Sequence, residues 1–212
     1  MDKGLELRDV VISKGGKPMV SLSRSIASGE VLTIMGPSGV GKSTLLAFVT
    51  GTLAPEFIVS GTIFLNGADI TDAPPHRRRV GILFQDDLLF PHMSVGQNLL
   101  FGLREDGNAT QRKAMVNDAL EEVELKGYAD RDPATLSGGQ KARVALMRML
   151  LSEPCALLLD EPFSRLDAAL RAQVRDLVFS RAKSRALPVL MVTHDAEDAT
   201  AAGGEIVKLM PS

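Results

Sequence analysis

Two stretches near the start of the chain, Leu5 to Ile12 and Met19 to Ile26, alternate apolar with polar positions, and Gly15-Gly16-Lys17-Pro18 lies between them. Period-two alternation around a glycine-rich turn predicts an antiparallel hairpin. Val31 to Met35 is a short apolar run that stops at Gly36, and Thr44 to Val49 continues as a helix as far as Gly51. Ile63-Phe64-Leu65 before Asn66-Gly67 predicts a strand and a tight turn, and Val80 to Phe84 a further strand. From about residue 86 to about residue 150 the pattern becomes helical. Val116, Ala119, Leu120 and Val123 recur at helical spacing with Asp118, Glu121 and Glu122 between them, and another helix is predicted from Gly138-Gly139 to about Leu151. Beyond it, Ala156 to Leu159 and Val189 to Val192 are apolar strands separated by a helix over Ala168 to Ala182. Glu205 to Leu209 is a last strand.

Apolar strands alternating with helices predict an α/β fold whose mostly parallel sheet is covered on both faces. The N-terminal hairpin adds an antiparallel β subdomain, and residues from about 86 to 150 an inserted helical subdomain. At 212 residues the chain is read as a single domain, 1–212. Its net charge of −2 supplies no field that would recruit nucleic acid, so no nucleic-acid partner is expected. The run Arg77-Arg78-Arg79 after Pro74-Pro75 is read as a solvated loop in preference to an anion site. Cys155 is the single cysteine and is read as a small core residue, compatible with a reducing compartment. No apolar run approaches the roughly 20 residues of a membrane span, and the start, Met1-Asp2-Lys3-Gly4, shows no signal peptide. A cytoplasmic protein that reaches any membrane through a partner is expected.

The chemistry concentrates in a few segments. Gly36-Pro37-Ser38-Gly39-Val40-Gly41-Lys42-Ser43 fits the phosphate-loop pattern and sits between a predicted strand and a helix that continues through Thr44. Glycines let the backbone curl so that successive N–H groups point at phosphate oxygens, and the helix start adds its positive end. Lys42 is expected on the β- and γ-phosphates, with the Ser43 hydroxyl on Mg²⁺. Leu157-Leu158-Leu159 ends in Asp160 and Glu161, at the carboxyl end of a strand where open α/β sheets bind ligands. Asp160 is expected to hold Mg²⁺ through water and Glu161 to accept a proton from the attacking water. Gln85, after Gly81 to Phe84, could touch Mg²⁺ or orient water, and His194, after Val189 to Thr193, could hydrogen-bond the γ-phosphate. Ser137-Gly138-Gly139-Gln140 precedes a second helix whose first N–H groups make a second anion site. Two phosphate-binding helix starts far apart in one chain imply two copies head to tail, each completing the other's site.

Together these segments, in this order from Leu5 to Leu209, resemble the ATP-binding-cassette family. Gly36–Ser43 is similar to its Walker A, Gln85 to its Q-loop, Leu136–Gln140 to its signature and Leu159–Pro162 to its Walker B with catalytic glutamate. Ser164–Asp167 is similar to its D-loop and Thr193–Asp195 to its switch histidine. The resemblance implies a P-loop NTPase that hydrolyses ATP with Mg²⁺ as the motor of a membrane transporter, working as a homodimer bound to transmembrane permease subunits. Pro74–Arg79 and Leu89–Val95 resemble bacterial importers of small solutes, which implies a solute-binding protein as an indirect partner and a place on the cytoplasmic face of the membrane. An exporter subunit and a soluble, non-transporting cassette ATPase are the competing readings. A phosphate-loop GTPase would need a guanine-reading N-K-x-D segment, and none is present. In this family the segment after the Q-loop lines the permease groove, so Leu88, Leu89, Phe90 and Met93 are either partner surface or core.

Two departures stand out. The family stacks adenine on an aromatic upstream of Walker A, but residues 1–35 contain none, leaving groups such as Val11, Ile12 and Lys14. Weak discrimination between purine bases is therefore expected. Arg165 occupies a D-loop position where a small residue is common.

Overall fold

The structure, a computed structural model, describes residues 4–86, 88–104, 107–164 and 166–210. In chain order its elements are β1 (Gly4–Lys14), β2 (Lys17–Ala27), β3 (Val31–Met35), α1 (Lys42–Thr50), β4 (Phe57–Leu65), β5 (Ala68–Asp69) and β6 (Val80–Leu83). There follow α2 (Val95–Gly102), α3 (Ala109–Glu122), α4 (Gly138–Leu151), β7 (Ala156–Asp160), α5 (Ala168–Ser184), β8 (Val189–Thr193), α6 (Ala196–Ala202) and β9 (Glu205–Lys208). The strands form two sheets. One is antiparallel in the order β2-β1-β4-β5, and the other has the order β6-β7-β8-β3-β9 with every pairing parallel.

The parallel strands divide their side chains between two cores, because successive residues of a strand face opposite ways. Ala156, Leu158, Leu190, Val192, Leu32 and Ile34 pack with α1 and the antiparallel sheet. Leu157, Leu159, Val189 and Met191 pack with side chains from α2, α3, α4 and α5. The helices of residues 95–151 therefore share one continuous apolar cluster with the sheet. Three of them start on the same device: Ser94 with Gln97, Asn108 with Gln111 and Ser137 with Gln140 each form a reciprocal capping box.

Sequence and structure differ in detail. α2 and α6 were not separately expected; both are short, and too few apolar positions repeat in them to show a period. The strand expected over Val80 to Phe84 ends at Leu83, and Phe84 is exposed. The solvated-loop reading of Arg77 to Arg79 fails at Arg78, which is buried. Its guanidinium donates to the carbonyls of Phe48 (2.8 Å), Val49 (3.0 Å), Thr71 (2.6 Å) and Ala73 (2.7 Å). Those of Phe48 and Val49 are last-turn carbonyls of α1, which have no partner within the helix. Arg78 is a structural clip on the end of the phosphate-loop helix. Arg77 and Arg79 are exposed, as expected.

Candidate active site

The carboxyl ends of three neighbouring strands meet where the sequence placed the chemistry. Met35 of β3 pairs with Thr193 of β8, and Asp160 of β7 pairs with Val192 of β8. The loop after β3, the acidic pair after β7 and His194 after β8 therefore leave the sheet side by side.

The loop from Gly36 to Gly41 leads into α1. Gly41 has φ 102°, and a Cβ there would lie 2.6 Å from Val20 Cγ2, so only glycine fits between the loop and β2. Lys42 is buried, and its Nζ donates to the carbonyls of Gly36 (2.7 Å) and Pro37 (3.0 Å). The Ser43 hydroxyl donates to Asp160 Oδ1 at 3.3 Å. Glu161 takes φ 46°, a strained backbone for a side-chain-bearing residue, and is held there by bonds from its N–H to Val192 O (3.0 Å) and from Ser164 Oγ to its own carbonyl (2.9 Å). Its Oε1 lies 3.1 Å from His194 Nδ1 and 3.8 Å from Lys42 Nζ. Lys42, Ser43, Asp160, Glu161 and His194, expected from separate segments, thus form one cluster.

Burial pushes the Asp160 carboxyl above its ordinary pKa. The Ser43 hydrogen bond opposes this, the Glu161 charge adds to it and the Lys42 charge opposes it. A carboxylate with a hydroxyl beside it is the hard-oxygen donor set that Mg²⁺ takes, and a cation here would relieve the destabilised charge. Among the described residues no group of three or more His, Cys, Asp or Glu could hold a metal alone. Mg²⁺ commonly needs only one or two protein oxygens, with phosphates and water completing its shell.

The second expected anion site is built differently. Ser137 Oγ accepts from Gln140 N (3.3 Å), and Gln140 Oε1 accepts from Ser137 N (3.0 Å). Gln140 is thus a capping residue of α4, and the N–H groups of Gly138 and Gly139 are the ones left for an external acceptor. Gly138 faces open space, whereas a Cβ on Gly139 would lie 2.3 Å from Leu170 of α5. Gln85 is exposed beyond β6 and lines a cleft of about 530 Å³ with Gly138, Lys141, Pro162 and Leu166.

The apolar segment after Gln85 divides between the two expected roles. Leu88 is exposed, while Leu89 packs on the core. Phe90 stacks edge-on against exposed Phe101 (4.7 Å between ring centres). With Phe84 and Met149 these rings line a groove of about 350 Å³. The adenine expectation needs correction at Ile12, which is fully buried in the core and cannot cover a base. Lys14 is exposed, 2.8 Å from Glu56 and over the Phe57 ring. Arg165 lies outside the described residues. One set of groups beside the site went unnoticed in the sequence: Arg171 and Arg175, four residues apart on α5, meet Asp195 and Asp198, three apart at the start of α6. That matched helical spacing was the available signal.

Comparison with known proteins supplies the deciding observation. Residues 19–164 match the family model described as ABC transporter. The chain belongs to the ABC transporter family. It is 51% identical over 183 residues to the uncharacterized ABC transporter ATP-binding protein YnjD of Escherichia coli, covering 86% of this chain and 84% of the relative. It is 43% identical over 199 residues to the spermidine/putrescine import ATP-binding protein PotA of Nitrosomonas europaea, covering 93% and 54%. With the Fe(3+) ions import ATP-binding protein FbpC of Pasteurella multocida it shares 42% over 195 residues, covering 91% and 55%. The chain therefore spans most of YnjD but about half of the PotA and FbpC relatives. As an ABC transporter ATP-binding protein it is an ATPase. No helix among the described residues is long and apolar enough to cross a membrane.

Proposed function

We propose that this ATPase energises import of a small solute through a membrane permease, and that Glu161 is its general base. The observation that carries the site assignment is the position of the Glu161 carboxylate, 3.1 Å from His194 Nδ1 and 3.8 Å from Lys42 Nζ. Lys42 now rests on two carbonyls of its own loop and would exchange them for β- and γ-phosphate oxygens. The loop N–H groups from Gly36 to Thr44 cradle the remaining phosphate charge. Ser43 and Asp160 would hold Mg²⁺ with Gln85 near it, and the ion would supply charge neutralisation at the β- and γ-oxygens. Glu161 orients a water and takes its proton as that water attacks the γ-phosphorus, and His194 holds the γ-phosphate by a hydrogen bond. Ser137 and the N–H groups of Gly138 and Gly139 bind the nucleotide of a second copy, so the working unit is a head-to-tail homodimer with two shared sites.

The names of the PotA and FbpC relatives support import. The groove lined by Phe84, Leu88, Phe90 and Phe101 suits an apolar permease segment, which would hold this subunit on the cytoplasmic face of the membrane. A solute-binding protein would act through the permease, without touching this chain. Residues 1–212 then make one cassette ATPase domain, with 86–150 as its helical subdomain. Glu161→Gln tests the base. ATP binding should persist while turnover falls by roughly 10²–10⁴. Near-normal hydrolysis by that variant would remove Glu161 from the role.

A further inference from the structure

His194 owes its place to its neighbours. Its side chain is more than half exposed, so packing does not fix it. Thr193 before it is buried at the end of β8. Asp195 after it is held on several sides. Its N–H donates to Thr193 Oγ1 (3.0 Å). Its Oδ1 accepts from the N–H groups of Glu197 (2.8 Å) and Asp198 (3.2 Å), capping α6. Its Oδ2 accepts from Arg171 Nη1 at 2.7 Å. Burial alone would raise the Asp195 carboxyl, but the N–H groups of Asp198 and Glu197 and the Arg171 guanidinium outweigh it and hold it below its ordinary value.

Of these bonds, only the one from Arg171 comes from outside the β8–α6 segment. Arg171 lies in the first turn and a half of α5, next to Leu170, whose side chain fills the space beside Gly139 at the start of α4. One turn of α5 therefore touches the Ser137–Gln140 helix start and, through Arg171, the residue next to His194. Among the described residues the Arg171 bridge is one-pronged, made through Nη1, and its buried Nε has no hydrogen-bond partner. A single-pronged bridge shifts or releases at less cost than a two-pronged one.

We propose that Arg171 is a positioning residue for His194, acting through Asp195, and that it carries the state of the α4 start to the Glu161–His194 pair. The inference rests on the role given to His194 above. When a second copy's phosphates occupy the N–H groups of Gly138 and Gly139, the load on the α4 start reaches α5 at Leu170, and Arg171 moves with it. Asp195 follows, and His194 is set against the γ-phosphate of its own nucleotide only when the second copy's nucleotide is seated on this chain's α4 start. Arg175 and Asp198 (3.4 Å) form a second α5–α6 bridge one turn further on, not next to His194. They serve as the internal control for a purely structural tie.

The test measures steady-state ATP hydrolysis and thermal melting of the full chain, using Arg171→Met and Arg175→Met in the wild-type and His194→Ala backgrounds. Arg171→Met should lower kcat roughly tenfold with KM for ATP within about twofold, inside the usual range of coupling between sites. Arg171→Lys should recover most of the loss. Arg175→Met should lower the melting temperature comparably and leave kcat near wild type. On the His194→Ala background Arg171→Met should cause no further loss, the non-additivity of two groups acting as one. Equal fractional losses in both backgrounds, an unchanged kcat in Arg171→Met, or an equal kcat loss in Arg175→Met would each overturn the inference while leaving His194's role intact. Wild-type turnover in His194→Ala would overturn the role of His194 and this inference with it. If Arg171→Met does not fold, Asp195→Asn runs the same cycle, with additive losses against His194→Ala as the overturning result.

Discussion

The Asp160 carboxylate is poorly placed for a folded protein and well placed for a cation. Its pKa is raised, mainly by burial. A carboxyl whose folded pKa exceeds its unfolded value adds stability only in its protonated form, below the unfolded pKa. That stability is lost as pH rises through the folded pKa, so near neutrality the charge is a cost. Asp160→Asn should therefore raise the melting temperature of the nucleotide-free chain, by roughly 2–4 °C for a domain of this size, while abolishing Mg²⁺-dependent hydrolysis. A melting temperature that falls would show that the Ser43 hydrogen bond outweighs the burial. Raising Mg²⁺ without nucleotide should stabilise the wild type and leave the variant unmoved. At this scale the clustering of Lys42, Ser43, Asp160, Glu161 and His194 was legible, because strand–loop–helix context and residue type together mark a candidate phosphate site. Ile12 was not legible as core. Alternation told which positions share a face, but not that this face turns inward against α1.

Among elements, α1 depends on a residue far from it in sequence. Gly51 ends the helix and leaves space for the Arg78 guanidinium, which ties the carbonyls of Phe48 and Val49 to those of Thr71 and Ala73. Arg78→Met keeps the bulk of the side chain but removes all four of these hydrogen bonds, leaving Phe48 O only its bond from Gly51 N (3.1 Å), and should destabilise the chain by roughly 2–4 kcal/mol, as unfolding in denaturant would show. Arg77→Met, on an exposed side chain, should fall within about 0.5 kcal/mol of wild type. Charge runs read from sequence are solvated by default, and nothing local distinguishes Arg78 from its neighbours. Only the tertiary return of β6 past the end of α1 does. The capping boxes, by contrast, were present in the sequence as Ser94-x-x-Gln97 and Asn108-x-x-Gln111, and mark helix starts whose apolar periodicity was too weak to show them.

For the whole molecule, the separation of the Lys42 and Ser137 segments predicts complementation between copies. A Lys42→Ala chain mixed with a Ser137→Arg chain gives mixed dimers with one intact composite site, whereas each parent dimer has none. Mixing should restore ATP-dependent dimerisation, read by sedimentation, to roughly half the dimers under random pairing. No gain over either parent would sink the shared site. The parallel sheet was legible from alternating strands and helices, but its strand order was not, since strands of similar composition do not name their partners. That order has a consequence for the protein while it is being made. β3, residues 31–35, leads directly into the phosphate loop, yet its two neighbours are β8 and β9, at 189–193 and 205–208. At the usual pace of a ribosome the loop waits roughly ten to thirty seconds for the strands that seat it. A nascent chain therefore emerges with its nucleotide site unformed, and a chain that ends before residue 205 leaves β3 as an open edge of the sheet.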